Sequence, residues 1–250
     1  QPISAKLMAD LIQTAGATRL MCLDLHADQI QGFFNIPIDN FLALPILAEY
    51  FVKKNLDDVV VVAPDHGGTT RARKLAMVLD APMAIVDKRR PRPNVAEVMN
   101  VIGDIEGKNC IIIDDMIDTA GTLSIVVKTL KERGARTVRA CCSHALLSGA
   151  AVERLNSVPL EELVVTNTTR ITDEKKQIKN LTVVSVANLL SRASCKPLTF
   201  GIVVCNSCSV VPILIFEIVL TTSSLLNSTI IASTANLLKE SLAFIAAFSV

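Results

Sequence analysis

Residues 111–123 read IIIDDMIDTAGTL, and the fold turns on how this stretch is divided. NCIIIDD is a short apolar run closed by two acids, which marks a buried strand. GTLSIVVKTLKERG then has apolar residues at helical spacing, with Lys131 and Arg133 near its end and Gly134 beyond it, which marks a helix. Between them lies Asp118-Thr119-Ala120-Gly121-Thr122. Its small residues let backbone N–H groups face an anion, two hydroxyls stand ready, and the following helix adds a favourable dipole. No Gly-Lys-Ser/Thr follows, so the turn is not a Walker loop. Equally, it reads as a plain strand–helix turn with Asp118 as N-cap. Asp114 and Asp115 directly before it favour the phosphate reading. Carboxylates accept hydrogen bonds from vicinal hydroxyls. With a sugar phosphate, the phosphate would sit on the turn and the ring would lie back over the acids, which then need not touch the phosphate.

The same alternation extends outward. Helices are expected in SAKLMADLIQTAG, with Pro2 near its start and Gly16 past its end, in PILAEYFVKKN, and in TTRARKLAMVLD, the last with Arg71, Arg73 and Lys74 on its exposed side. Strands are expected in RLMCLDL, DVVVVAPD, MAIVDK, TVRACCSH, ELVVTN and LTVVSV. Continuous Val/Ile runs between helices indicate an α/β fold, a parallel sheet covered by helices on both faces. Ligands of such sheets bind beyond the carboxyl ends of the strands. Four of those ends carry chemistry here: DLHADQ, PDHGG, DKRRP and DDMIDTAGT.

Composition narrows the partners. The 250 residues hold 25 basic and 24 acidic side chains, a net charge of +1, and no Trp. That gives neither the basic surface nor the stacking platforms of a nucleic-acid binder. Seven dispersed cysteines point to a reducing compartment, and no signal sequence is visible. The first residue is Gln1, and the chain reads as a fragment lacking its natural N-terminus. Beyond Pro197 the composition changes. From 198 to 250 only Glu217, Lys239 and Glu240 are charged. SVVPILIFEIVL falls short of the ~20 apolar residues a span needs, so no membrane is implied. Among a membrane anchor, an oligomer contact and a non-native extension, the last is favoured, with the tail expected to be non-native or disordered.

IIIDDMIDTAGT resembles the phosphoribosyl-pyrophosphate motif of the type I phosphoribosyltransferase fold. The wider set DLHADQIQGFFNIPIDN, APDHGGTTRARKLA, IVDKRRPRPNVAEVMNVIGDIEGK, DDMIDTAGT, SHALLSGAAVERL and ELVVTNT occurs in this order in the ribose-phosphate diphosphokinase (PRPP synthetase) family, over residues 1 to about 190. The resemblance implies a type I phosphoribosyltransferase-like fold and an enzyme for nucleotide biosynthesis. It would transfer the diphosphoryl group of ATP to the anomeric hydroxyl of ribose 5-phosphate, with Mg2+ as cofactor. By the same resemblance, Asp118, Thr119, Ala120, Gly121 and Thr122 would hold the 5-phosphate, and Asp114 the ribose hydroxyls with Asp115 close by. Lys88 and Arg90 would face the transferring phosphates, although DKRRP read alone is a solvated basic turn stiffened by Pro91 and Pro93. His26 and Asp65 would be metal ligands, with Asp24 and Asp39 at further acidic positions of the metal region. Asn35 stands where the family often has Asp. His66 sits where the family varies, and Gly67 and Gly68 would allow close approach to a ligand phosphate. The resemblance divides the chain into 1–40, the remnant of a first phosphoribosyltransferase-like domain; 41–197, a second such domain carrying the ribose 5-phosphate site; and the 198–250 tail. It also implies a cytoplasmic homo-oligomer of hexamer type, an organellar location being the alternative. Two further readings stay open: a base phosphoribosyltransferase, which shares the turn, and a catalytically deficient regulatory subunit of the synthetase.

Overall fold

The computed structural model describes residues 2–89, 98–194, 202–205 and 215–218. The strands are β1 (Leu20–Leu23), β2 (Ile38–Phe41), β3 (Val59–Ala63), β4 (Met83–Arg89), β5 (Val98–Ile102), β6 (Asn109–Ile117), β7 (Thr137–Ala145), β8 (Glu162–Thr166), β9 (Leu181–Val184), β10 (Ile202–Cys205) and β11 (Ile215–Ile218). The helices are α1 (Pro2–Thr14), α2 (Leu44–Lys54), α3 (Thr69–Leu79), α4 (Gly121–Glu132), α5 (Ala151–Asn156) and α6 (Ala187–Ser194).

The larger sheet has the order β5-β4-β3-β6-β7-β8-β9, parallel throughout except that β5 runs back along the edge of β4. Its inner strands β3, β6, β7 and β8 are buried on both faces, as the Val/Ile runs require. Parity along β6 sorts its side chains. Cys110 and Ile112 join one core with Leu123, Val126, Val127 and Leu130 of α4. Ile111 and Ile113 join the other with Leu47 and Phe51 of α2 and Ala72 and Leu75 of α3. Each of the large aliphatic side chains so buried contributes roughly 1.5–3 kcal/mol relative to exposure.

The smaller sheet has the order β11-β10-β1-β2, with β10, β1 and β2 parallel and β11 antiparallel to β10. The tail thus contributes two short strands, β10 beside β1 and β11 beside β10. The rest of the tail, and with it the expectation of disorder, lies outside the described residues. Strands β2 and β5 were not anticipated from the sequence. Among the described residues no helix is long and apolar enough to cross a membrane.

The end of β1 is fixed to the larger sheet by buried polar contacts. Asp24 is 6% exposed and left-handed at φ 47. Its Oδ2 accepts from the Ala43 N–H at 3.0 Å and from the Ser143 hydroxyl on β7. His144, fully buried on the same strand, places Nε2 3.0 Å from the Leu23 carbonyl and 3.3 Å from that of Asp24. Both are acceptors, so Nε2 carries the proton.

Candidate active site

β6 does not stop at the acids. It runs to Ile117 and pairs with β7 as far as Ile117 opposite Ala145. Asp114 and Asp115 therefore stand on a paired strand. Strand parity sends Asp114, with Ile112 and Met116, to the face covered by α4, where a cavity of about 270 Å³ opens between them, Pro64, Asp65 and the turn 118–122. That is below the ~300–1,000 Å³ typical of drug-sized sites and suits a small polar ligand.

The turn has the features of an anion cradle. The helix after it begins at Gly121, and its N-cap is Ala120 in the left-handed region, φ 57 and ψ 12, with no side-chain cap. The Asp118 cap of the alternative, plain-turn reading is therefore not formed. Its carbonyls are turned to protein donors. Ser148 N–H binds the Asp118 carbonyl at 3.0 Å, Arg154 Nη1 binds that of Thr119 at 2.8 Å, and Ser124 binds that of Ala120 through N–H at 2.9 Å and Oγ at 2.7 Å. A trans peptide points its N–H opposite to its carbonyl, and no peptide among the described residues is cis. The N–H groups of Thr119, Ala120 and Gly121 consequently face away from those donors. Such a row, with a left-handed residue before a helix N-terminus, is a nest that favours an anion.

The two acids are held differently. His26, reaching over from the end of β1, places Nδ1 2.7 Å from Asp115 Oδ2. Arg71 Nη1 lies 3.5 Å from Asp114 Oδ1 and 3.6 Å from Asp115 Oδ1. The Asp115 N–H donates to Asp114 Oδ1 at 2.9 Å. Burial pushes both carboxyls up, but Asp114, Arg71 and His26 together hold that of Asp115 below its ordinary value. Asp114 is raised to about 8, first by burial and then by the Asp115 charge beside it. Against the expectation of two ionised carboxylates, the pair favours a protonated Asp114, one-third exposed, beside an ionised and buried Asp115, because two adjacent anions repel.

Arg71 is a second correction. It lies at the core-facing edge of α3, its side chain 23% exposed, and serves as counter-charge to the acids. Arg71→Met should cost about 1–3 kcal/mol, the range for removing a charged partner from a part-buried carboxylate. In urea unfolding the loss should be larger at pH 9 than at pH 6, because Asp114 is ionised only at the higher pH. Equal losses at both would refute this role.

The remaining predicted residues disperse. Lys88 is on β4 with its side chain outside the described residues, and Arg90 lies outside them altogether. Asp24 is committed to Ala43 and Ser143, and Asp39 pairs with Arg19 at 2.6 Å. A carboxylate already filled by protein donors makes a poor ligand, so the four-residue metal set of His26, Asp65, Asp24 and Asp39 is not assembled. Among the described residues no three His, Cys, Asp or Glu side chains converge on one point. Asp65 lines the cavity, and its Oδ1 accepts from the Gly68 N–H at 2.9 Å. An added Cβ would stand 3.3 Å from Asp65 Oδ1 at Gly67 and 3.3 Å from Pro64 Cδ at Gly68, so the loop itself uses the room these glycines leave. Beside it, His66 Nε2 lies 3.0 Å from Asp87 Oδ1. Asn35 is turned outward, its N–H on the Gln13 side chain at 2.6 Å.

The model of the phosphoribosyl transferase domain matches residues 39–179, which contain the turn, the acids and Arg71. The chain belongs to the phosphoribosyl transferase domain family. Its similarity to individual members is high. It is 61% identical over 193 residues to the ribose-phosphate pyrophosphokinase of Bacillus subtilis (strain 168), covering 77% of this chain and 61% of that protein. Identity and coverage are the same for the enzyme of that name from Halalkalibacterium halodurans. The crystal structure of phosphoribosylpyrophosphate synthetase from Mycobacterium smegmatis superposes with a TM-score of 0.72 at 44% identity, covering 77% of this chain and 63% of that one. The chain thus spans about three fifths of the length of the curated relatives it matches. Within this phosphoribosyl transferase domain Asp114 and the turn, both singled out from the sequence, line one cavity. The sequence did not reveal Arg71 or Arg154 as members of the site, and nothing in their local spacing marks them.

Proposed function

We propose that the domain formed by residues 41–197 is the ribose 5-phosphate half of a ribose-phosphate diphosphokinase site, with 1–40 belonging to a separate phosphoribosyltransferase-like domain. The observation that carries this is one cavity walled on one side by the N–H row of the turn and on the other by Asp114. The 5-phosphate would take the N–H groups of Thr119, Ala120 and Gly121 and the hydroxyls of Thr119 and Thr122. The vicinal hydroxyls would donate to Asp114, releasing its proton, while Asp115 stays behind as the permanent anion. The phosphate is thereby kept from the acids although all belong to one strand and turn.

In the complete reaction the anomeric hydroxyl of ribose 5-phosphate attacks the β-phosphorus of ATP, giving phosphoribosyl pyrophosphate and AMP. Lys88 and Arg90, at the end of β4 and just beyond it, would neutralise the transferring group. Such catalysis is mostly positioning and charge compensation. The donor set suits Mg2+ held largely by substrate oxygens, since Asp65 offers an oxygen at the cavity and His26 is steadied by a carboxylate behind its ring. When bound, Mg2+ would supply positive charge to the diphosphoryl oxygens. The protein is read as a cytoplasmic homo-oligomer of hexamer type. The 250-residue chain alone is expected to bind ribose 5-phosphate weakly and to form little or no AMP.

Calorimetry with ribose 5-phosphate, ribose and inorganic phosphate tests this. Ribose 5-phosphate should bind more tightly than either part, with a binding enthalpy that depends on buffer ionisation because a proton leaves Asp114. Binding of ribose 5-phosphate no tighter than phosphate would sink the assignment. AMP formation by the purified chain would overturn the expectation of inactivity.

A further inference from the structure

We propose that Arg154, on α5, is a positioning residue for the phosphate turn: by holding the Thr119 carbonyl it aims the Ala120 N–H at the bound phosphate and strengthens it as a donor. The inference rests on the ribose 5-phosphate reading of the cavity and extends it to a residue outside the turn 118–122.

The turn 118–122 contains no Lys or Arg, and three carboxylates, Asp114, Asp115 and Asp118, belong to the same strand and turn. A phosphate brought there needs positive potential from elsewhere. Arg154 supplies it from outside the turn. Its Nη1 is 2.8 Å from the Thr119 carbonyl and 3.9 Å from where a Cβ on Gly121 would stand, so the guanidinium lies directly against the turn. Among the described residues it has no carboxylate partner, which leaves its charge for the turn.

The base of this arm is fixed. Ala151 and Leu155 of α5 are buried in the core shared with α4. Asn156, at the end of α5, donates to the Gln177 carbonyl at 3.0 Å and accepts from the Lys179 N–H at 2.8 Å. The segment leading into α5 supplies neighbouring braces, since Leu147 N–H binds the Ile117 carbonyl and Ser148 N–H that of Asp118, each at 3.0 Å. Three successive carbonyls are thus turned away from the cavity by one stretch of chain, and only the brace from Arg154 is charged.

The charge has a specific effect. The Thr119 carbonyl and the Ala120 N–H belong to one planar peptide and point in opposite directions. A cation on the carbonyl draws electron density from the amide and polarises its N–H, as in other hydrogen-bond chains. Ala120 is also the left-handed residue of the turn, at φ 57. This is a conformation that alanine holds at a cost of roughly 1–2 kcal/mol and that needs an outside restraint. Arg154 adds to the restraint that Ser124 exerts on the Ala120 carbonyl.

The test compares wild type, Arg154→Met and Arg154→Lys. In Arg154→Met, inorganic phosphate and ribose 5-phosphate should both bind about tenfold more weakly, by a common factor, as expected for the loss of one charge-assisted contact behind the phosphate. Arg154→Lys should recover part of that loss, and the unfolding midpoint should move little because the side chain is exposed. The Thr119 carbonyl 13C resonance should shift in Arg154→Met with no ligand present. Unchanged affinities in Arg154→Met overturn the proposal, as does an unmoved Thr119 carbonyl. A wild-type chain that binds neither ligand sinks the ribose 5-phosphate reading instead, and the brace is then judged on the carbonyl resonance alone.

Discussion

Asp24→Ala is expected to destabilise the chain by about 3–5 kcal/mol, a fall of roughly 10 °C in unfolding midpoint at this length. The carboxylate is 6% exposed and accepts from both the Ala43 N–H and the Ser143 hydroxyl. Its removal leaves two buried donors without an acceptor, and buried donors left unmade carry the full desolvation penalty. Ser143→Ala removes only one donor and should cost about 1–2 kcal/mol. Because the two share one hydrogen bond, the double variant should lose less than the sum of the singles. Urea unfolding measures all three, with the midpoint shifting at constant slope. A loss below about 1 kcal/mol for Asp24→Ala would show that water replaces the lost acceptor. The same change should weaken ribose 5-phosphate binding, since His26 leaves the end of β1 two residues later and reaches Asp115 from there.

Asp114→Asn should have opposite effects on stability and binding. The folded chain raises the Asp114 pKa to about 8, well above its ordinary value. Folding therefore favours the protonated carboxyl. Between about pH 4 and pH 8 the folded state binds more protons here than the unfolded state, so stability falls as pH rises through that window. An amide cannot ionise, and Asp114→Asn should unfold at a higher midpoint than wild type, with the gap widening up to about pH 8 and then levelling. Asp115 has the opposite sign: its lowered pKa contributes stability that is lost only in acid. Ribose 5-phosphate binding should drop by at least about tenfold in Asp114→Asn, because a carboxylate that accepts from two hydroxyls becomes a group with one acceptor oxygen. Inorganic phosphate, which needs only the turn, should bind as before or better. A gap independent of pH would mean that Asp114 is ionised throughout.

Much of this was legible in the sequence, for physical reasons. The apolar runs of β3, β6 and β8 could be nothing but buried parallel strands, and α2, α3 and α4 start and stop close to where their breakers fall. Asp114 and the turn were legible because strand, acid pair and small residues occupy contiguous positions. Arg71 was misplaced because helical spacing assigns a charged residue to solvent. It cannot register that the first turn of α3 abuts a strand end bearing two carboxylates. Arg154 escaped for a related reason: its partner is a backbone carbonyl 35 residues away, and carbonyls leave no trace in a sequence. Asp24 was placed in the metal region by the resemblance, and a buried structural carboxylate and a coordinating one are the same residue type. Only their partners distinguish them. β5 was missed because VMNVI lies beyond a basic, proline-containing stretch that drew attention as a loop, and its pairing with the edge of β4 is antiparallel in an otherwise parallel sheet.

β6 carries its acids beyond the hydrophobic run, still paired to β7 as far as Ile117. The consequence is kinetic. Among the described residues the wall that bears Asp114 is already paired strand, so arrival of a sugar there is governed by collision and charge. Variants of this wall should differ chiefly in how long the ligand stays. Affinity at such a site is written in its departure rate.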